Sequence, residues 1–283
     1  MRTKYLSILL LELFFSFSVT FSAERVKLVI LHTNDTHSQI EPTEKSPLPT
    51  SNRGGYARRM GVINQIREQE KNVLLLDAGD FWQGTPYFNF YHGRIEVEGM
   101  NRMNYDAITI GNHEFDNGLD TMAIVLKNAK FPIISSNYQF NNPLLDSIVK
   151  PYLILNKNGI RIGIMALNID PKGLILKNNY KGLKFNDPLE TAKNVSDFLK
   201  NKKKCEVIIC LSHLGCDTIK QKMNDYVIAQ NTKYIDVIIS GHSHVLLTDT
   251  AVKNANGKSV TIAQMGKSGF YLGKIVLYLE KKK

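Results

Sequence analysis

Five short apolar runs each lead straight into side chains that can ligate a metal. VKLVILH (26–32) continues through Thr33 and Asn34 into Asp35-Thr36-His37, and VLLLD (73–77) into Asp80. DAITI (106–110) runs into Asn112-His113-Glu114, EVIICL (206–211) into His213, and IDVIIS (235–240) into His242-Ser243-His244. Rich in β-branched and aliphatic residues, these runs read as strands buried on both faces, and the segments 55–70 and 188–203 between them read as helices. Further strands are expected at 160–167, 259–264 and 273–279. The alternation predicts an α/β domain with a largely parallel sheet. Carboxyl ends of strands in such sheets share one edge, so clusters about two hundred positions apart in sequence converge there. Five of the seven histidines lie at these strand ends.

Asp35, His37, Asp80, Asn112, His213, His242 and His244 offer seven donor side chains, too many for one tetrahedral ion. Two ions fit better. If Asp80 bridges them, each receives four protein ligands and keeps positions open for water and substrate. Without a metal, the same set would bury carboxylates and imidazoles with no compensating charge. Mixed oxygen and nitrogen donors without thiolate admit Zn, Mn, Fe or Co. Gly79, Gly111 and Gly241 stand just before ligands and let the backbone approach the ions.

Other polar residues near these motifs have structural readings. Glu114 and Asp77 point away from the ligand set if Asp80 and Asn112 point toward it. His32 reads as a hydrogen-bonded histidine of the core, and His92 has no evident partner. Phe81, Trp82 and Tyr87 read as packing against a second sheet rather than walling a cleft. The basic segment Arg53, Gly54, Gly55, Tyr56, Arg58, Arg59 opens the first helix, whose N-terminus suits an anion, though capping and solvation account for it equally well. Asp187, Pro188 and Glu190 begin the helix at 188, and Lys200, Lys202, Lys203 and Lys204 close it where the helix dipole favours cations.

The 283 residues carry 36 Lys+Arg against 26 Asp+Glu, a net charge of +10 that draws anions without choosing among them. Nucleic acid is not expected as a partner, because the lysines gather at a helix end and at 281–283 with no interleaved aromatics. At the N-terminus, Arg2 and Lys4 precede an apolar stretch interrupted by Glu12 and then Ser22 and Ala23. This is the pattern of an export signal over 1–23, with a secreted or periplasmic catalytic domain over 24–283. A spanning helix needs ~20 uninterrupted apolar residues, so no stable membrane anchor is expected. Cys205, Cys210 and Cys216 form an odd set read as buried thiols, with Cys210–Cys216 the one pairing open to consideration.

HTNDTH (32–37), DAGDFWQGTP (77–86), GNHEFDNG (111–118), SHLG (212–215) and GHSH (241–244) closely resemble the metallophosphoesterase (calcineurin-like) superfamily, in its 5′-nucleotidase / UDP-sugar hydrolase branch. The resemblance implies a four-layer α/β/β/α sandwich with two packed sheets. It implies one divalent ion on Asp35, His37, Asp80 and His244 and a second on Asp80, Asn112, His213 and His242. His113 would be the catalytic histidine, oriented by Asp116. Many relatives carry Gln where this chain has His244, a change that bears on metal preference. The implied chemistry is metal-activated hydroxide attack on a small phosphorylated substrate, a nucleotide monoester first, with 2′,3′-cyclic nucleotides or UDP-sugars as alternatives. Full-length relatives carry a second, C-terminal domain for substrate binding, so the resemblance also admits a separate polypeptide in that role. A metal-stabilised binding subunit without activity is the reading from outside enzymology.

Overall fold

The computed structural model describes residues 25–217 and 222–280. The expected export segment and the lysines at 281–283 lie outside these described residues.

Fourteen strands follow in chain order among them. They are β1 (Arg25–Thr33), β2 (Val73–Asp77), β3 (Ala107–Thr109), β4 (Ile133–Ile134), β5 (Tyr138–Gln139), β6 (Val149–Lys150) and β7 (Tyr152–Lys157), then β8 (Ile160–Asn168), β9 (Lys184–Phe185), β10 (Val207–His213), β11 (Val237–Ser240), β12 (Leu246–Lys253), β13 (Ser259–Met265) and β14 (Gly273–Glu280). The helices are α1 (Tyr56–Gln69), α2 (Pro86–Tyr91), α3 (Arg94–Met103), α4 (Gly118–Leu126), α5 (Pro143–Ile148), α6 (Pro188–Asp197) and α7 (Asp225–Asn231).

Two six-stranded sheets result, ordered β14-β1-β2-β3-β4-β6 and β12-β13-β11-β10-β8-β7, with β5 and β9 forming a small ribbon. Pairing is parallel inside both sheets and antiparallel at β1–β14, β12–β13 and β7–β8. Successive side chains of a strand point to opposite faces, and β1 buries both: Leu28 and Ile30 meet Ile162, Ile209 and Ile239 between the sheets, while Val29 and Leu31 join Ile63, Met100 and Met122 beneath α1, α3 and α4. On the far side, Met165, Ile208 and Ile238 meet Ala192 of α6 and Ile228 of α7. Helix, sheet, sheet and helix are therefore stacked in four layers, the α/β/β/α sandwich.

Local signals explain the element ends. Pro188 fixes the first turn of α6, and the Asp187 side chain caps it by accepting from the Glu190 amide at 2.7 Å. Beyond Asp197 the helix widens into a π turn over Phe198–Lys202, and Lys200 Nζ donates to the Glu206 carbonyl at 3.1 Å. Among the described residues no helix is long and apolar enough to cross a membrane.

Three expectations change in detail. Phe81 and Trp82 are fully buried, but in the layer between the first sheet and its helices, where Trp82 lies 6.0 Å from the Phe88 ring. They do not face the second sheet, because the left-handed turn at Asp80 directs them back under α2. Tyr87 is half-buried and donates to Glu41 at 2.7 Å. His32 is completely buried, yet neither ring nitrogen has a hydrogen-bond partner among the described residues. It fits because its β14 neighbour is Gly273, which leaves room for the ring. The three cysteines are buried free thiols.

Candidate metal centre

Each ligand-bearing loop begins where a parallel strand of one of the two sheets ends. Asp35 and His37 follow β1, Asp80 follows β2 and Asn112 follows β3; His213 closes β10, and His242 and His244 follow β11. The two sheets pack with these ends together, and the seven side chains meet at their shared edge.

The backbone there is unusual. Asp35, His37, Asp80, His242 and His244 hold φ values of 47°, 45°, 56°, 71° and 58°. Non-glycine residues seldom occupy this left-handed region, and where they do the surroundings must impose it. Here the loops strap one another down. The amides of Asp35, His37 and Ser38 donate to the carbonyls of Gly79, Asp80 and Phe81 at 2.9, 3.0 and 3.0 Å. The Asp35 carboxylate accepts the His242 amide at 2.9 and 3.0 Å.

Two ligand groups emerge. Ligating atoms of Asp35, His37, Asp80 and His244 lie within 4.8 Å of one another, as do those of Asp80, His213 and His242, and Asp80 belongs to both. Asn112 Oδ1 adds a further oxygen 2.9 Å from His242 Nδ1. His37 Nε2 and His244 Nε2 stand 2.9 Å apart.

His213 shows that this set calls for a cation. Its Nδ1 must donate to the Ala78 carbonyl at 2.6 Å, since a carbonyl only accepts. That turns Nε2 toward Asp80 Oδ2, 3.1 Å away and fully buried. A bare lone pair facing a carboxylate repels, so a proton or a metal ion belongs between them, and a metal-ligating histidine normally fixes its other nitrogen in this way.

Burial disfavours a protonated His213, but the Asp80 charge and hydrogen bond outweigh it and raise the ring to about 10, so a proton stands at that place when no metal ion does. Burial opposes ionisation of Asp80, but the neighbouring charge of His213 and the hydrogen bond to it, with His113 and His37 behind, outweigh burial and hold the carboxyl below its ordinary range. Burial lowers His37, and burial with the His213 charge lowers His242 to about 4, which keeps both imidazoles neutral and able to ligate.

His113 sits beside the ligand set. Its ring lies 5.3 Å from that of His37, its amide donates to Asp80 Oδ1 at 2.8 Å, and its Nδ1 is 2.9 Å from Asp116 Oδ2. Burial disfavours the protonated ring, but the Asp116 hydrogen bond and the Asp80 charge outweigh it and raise His113 to about 9.

Residues outside the donor set hold it in shape. Glu114, buried and turned away from the ligands, accepts four amides: Gly111 at 2.5 Å and Asp80, Phe81 and Trp82 at 3.0 Å each. The sequence carried a signal for one of these four, a carboxylate three residues after Gly111. The other three join β3 to β2 across more than thirty positions. Ser38 hydrogen-bonds the buried Glu96 of α3, and Thr85 Oγ1 donates to the Ser38 carbonyl at 2.7 Å. Asp77 accepts from Thr33 Oγ1 and from the Gly79 amide, at 2.5 and 2.8 Å. His92 is exposed and lies 3.5 Å from Asn117 Nδ2.

Residues 28–246 match the family model described as calcineurin-like phosphoesterase. The chain is 37% identical over 281 residues to the snake venom 5′-nucleotidase of Naja atra, covering 90% of this chain and 51% of that protein. Identity to the 5′-nucleotidase of Homo sapiens is 34% over 278 residues, covering 90% and 47%. Among solved structures, the 5′-nucleotidase precursor of Thermus thermophilus superposes with a TM-score of 0.82 at 34% identity, covering 91% of this chain and 52% of that one. The calcineurin-like phosphoesterase YfkN of Bacillus subtilis gives 0.75 at 29%, covering 92% and 87%. The chain thus spans about half the length of the 5′-nucleotidases it matches. Fold, motif order and family match agree, and the chain belongs to the calcineurin-like phosphoesterase family.

Proposed function

We propose that the chain is a metal-dependent hydrolase of nucleotide phosphomonoesters. Asp35, His37, Asp80 and His244 would hold one divalent ion, and Asp80, Asn112, His213 and His242 the other. The observation that carries this reading is the convergence of two donor groups on one shared carboxylate, with five of the seven residues held in left-handed backbone. Two such ions, when bound, supply Lewis acidity to phosphoryl oxygens and lower the pKa of water.

The chain's own residues do the rest. The Ala78 carbonyl fixes His213 in the tautomer that offers Nε2. The Glu114 cradle sets the turn that presents Asp80. Asp116 holds His113 at Nδ1 and favours its protonated form, which leaves Nε2 as the atom that delivers a proton to the departing alcohol oxygen.

The relatives support nucleotides as the substrate class. Incubation of the purified chain with Mn or Zn and AMP, UDP-glucose, 2′,3′-cyclic AMP or bis(p-nitrophenyl) phosphate tests it. AMP is expected to turn over fastest, and a chelator to abolish the reaction. Absence of metal-dependent hydrolysis of all four would defeat the reading. The Bacillus subtilis relative named a trifunctional nucleotide phosphoesterase, 31% identical, makes secondary activity on the other three substrates the outcome to rank.

Export is part of the same proposal. It rests on Arg2, Lys4, the apolar stretch and Ser22-Ala23. Mass spectrometry of the accumulated protein should find a chain beginning at Ala23 or Glu24, and an intact Met1 terminus would contradict it.

A further inference from the structure

The loop that carries His242 and His244 is wrapped around a side chain from a strand that supplies no ligand. Gln264 lies on β13, paired with Leu247 of β12, and is completely buried. Its Nε2 donates to Ser240 Oγ at 2.6 Å and to the Gly241 carbonyl at 2.9 Å, with Cys216 Sγ a longer neighbour at 3.5 Å. Its Oε1 accepts the Val245 amide at 2.6 Å and the Ser243 hydroxyl at 3.1 Å. A carbonyl only accepts and a backbone N–H only donates, so Gly241 and Val245 fix which end of the amide is which.

These partners are the four residues of 240–245 that are not metal donors, and they flank His242 and His244 on both sides. Both histidines hold left-handed backbone, at φ 71° and 58°, which persists only where the surroundings impose it. The Gln264 amide is the group that grips the chain before, between and after them. The same strand end also reaches the first ligand loop. The Met265 amide donates to Asn34 Oδ1 at 2.8 Å, and Asn34 Nδ2 donates to the Gly266 carbonyl at 2.9 Å and to Asp35 Oδ2 at 2.6 Å. That engagement leaves Asp35 Oδ1 facing His244 Nε2, 3.5 Å away.

We propose that Gln264 is a positioning residue of the metal centre, setting loop 240–245 in the shape that delivers His242 to one ion and His244 to the other. The assignment rests on the two-ion reading of the centre. Methionine at 264 fills a similar space but leaves four polar groups of the loop without their partner. Glutamate keeps the shape and the acceptor, yet aims an oxygen at the Gly241 carbonyl. A residue that only filled space would tolerate the methionine, because volume-conserving changes of the interior are mild.

The test compares Gln264→Met and Gln264→Glu with Ile262→Ala, a change two residues back on the same face of β13, in the apolar layer that includes Ile228 of α7. Three quantities are measured on the full chain: Mn or Zn affinity by competition with a chelator, urea stability without metal, and the visible spectrum with cobalt bound, which reports ligand geometry. Both Gln264 variants should bind at least tenfold more weakly, the scale of lost support around metal ligands, and should show an altered cobalt spectrum. Ile262→Ala should lose stability and keep wild-type affinity and spectrum. Ser243→Ala, which deletes one of the four contacts, should weaken binding by a smaller factor and carries the test if Gln264→Met does not fold. Affinity no lower in Gln264→Met than in Ile262→Ala, or wild-type affinity in Ser243→Ala where Gln264→Met does not fold, would overturn the assignment alone. A wild-type chain that binds no divalent ion would overturn the metal centre and this assignment together.

Discussion

Asp80 is held from several sides at once. Its backbone is left-handed, its amide is held by Glu114, one carboxylate oxygen takes the His113 amide and the other faces His213. Such multiple engagement is why both donor groups include it. His113 has a different task, and the two can be separated by substitution. His113→Ala should lower kcat on AMP by about 10²- to 10⁴-fold, the usual contribution of a positioned acid or base, while the metal content stays at the wild-type level. Asp116→Asn should cost less, because the ring keeps a neighbour but loses the charge that favours its protonated form. A drop in metal content in His113→Ala would place that residue among the ligands instead. The seven donor positions were proposed from residue type at strand ends, and the roles of His113 and Asp116 only from the family resemblance. The cradle around them was not, because the partners of Glu114 on β2 and the Ser38–Glu96 contact depend on which strand and helix become neighbours.

Strand ends, more than single side chains, determine the site. Gly111 shows how tightly two of them pack: a Cβ there would lie 2.2 Å from Asp80 Oδ1 and 2.6 Å from the Asp80 amide nitrogen. Gly111→Ala is therefore expected to displace Asp80, reducing metal affinity by at least tenfold in a competition titration against a chelator, the scale seen when supporting contacts of metal ligands are removed. Wild-type affinity in that variant would show that the β2 and β3 ends yield more easily than their packing indicates.

On the second sheet, the start of α7 brings Asp225 into full burial behind the ends of β10 and β11. Burial raises its carboxyl from 3.8 to about 7, against lowering by the Ser212 and Ser240 hydroxyls. Between about pH 4 and 7 the folded chain holds a proton that the unfolded chain has released, so the Asp225 contribution to stability falls as pH rises through that window. Urea unfolding across this range should show a shallower decline for Asp225→Asn than for wild type; identical slopes would contradict it. The strands themselves were evident from their β-branched runs. Their order in two sheets was not, since that order is decided by which apolar faces meet, as when Leu28 and Ile30 find Ile162 and Ile209. The buried His32 escaped its sequence reading for the same reason, because Gly273 comes beside it only through β1–β14 pairing.

At the scale of the whole molecule, two sheets contribute unequal halves of one centre. The β1, β2 and β3 ends supply Asp35, His37, Asp80 and Asn112, and the β10 and β11 ends supply the remaining histidines. Neither sheet alone completes a donor group, so metal binding is tied to the packing of the sandwich, and ions that bind only the folded chain stabilise it in proportion to their occupancy. The net charge of +10 has less bearing on the reaction than its size implies, because the donor groups consist of carboxylates and imidazoles and include no lysine. The measurement that bears most directly on this account is metal content per chain, by atomic emission after exhaustive dialysis at a limiting free concentration of Mn or Zn. Two ions are expected for wild type, one for His37→Ala, one for His213→Ala and none for Asp80→Ala. One ion in wild type, or two retained in Asp80→Ala, would contradict a centre in which two cations share that carboxylate.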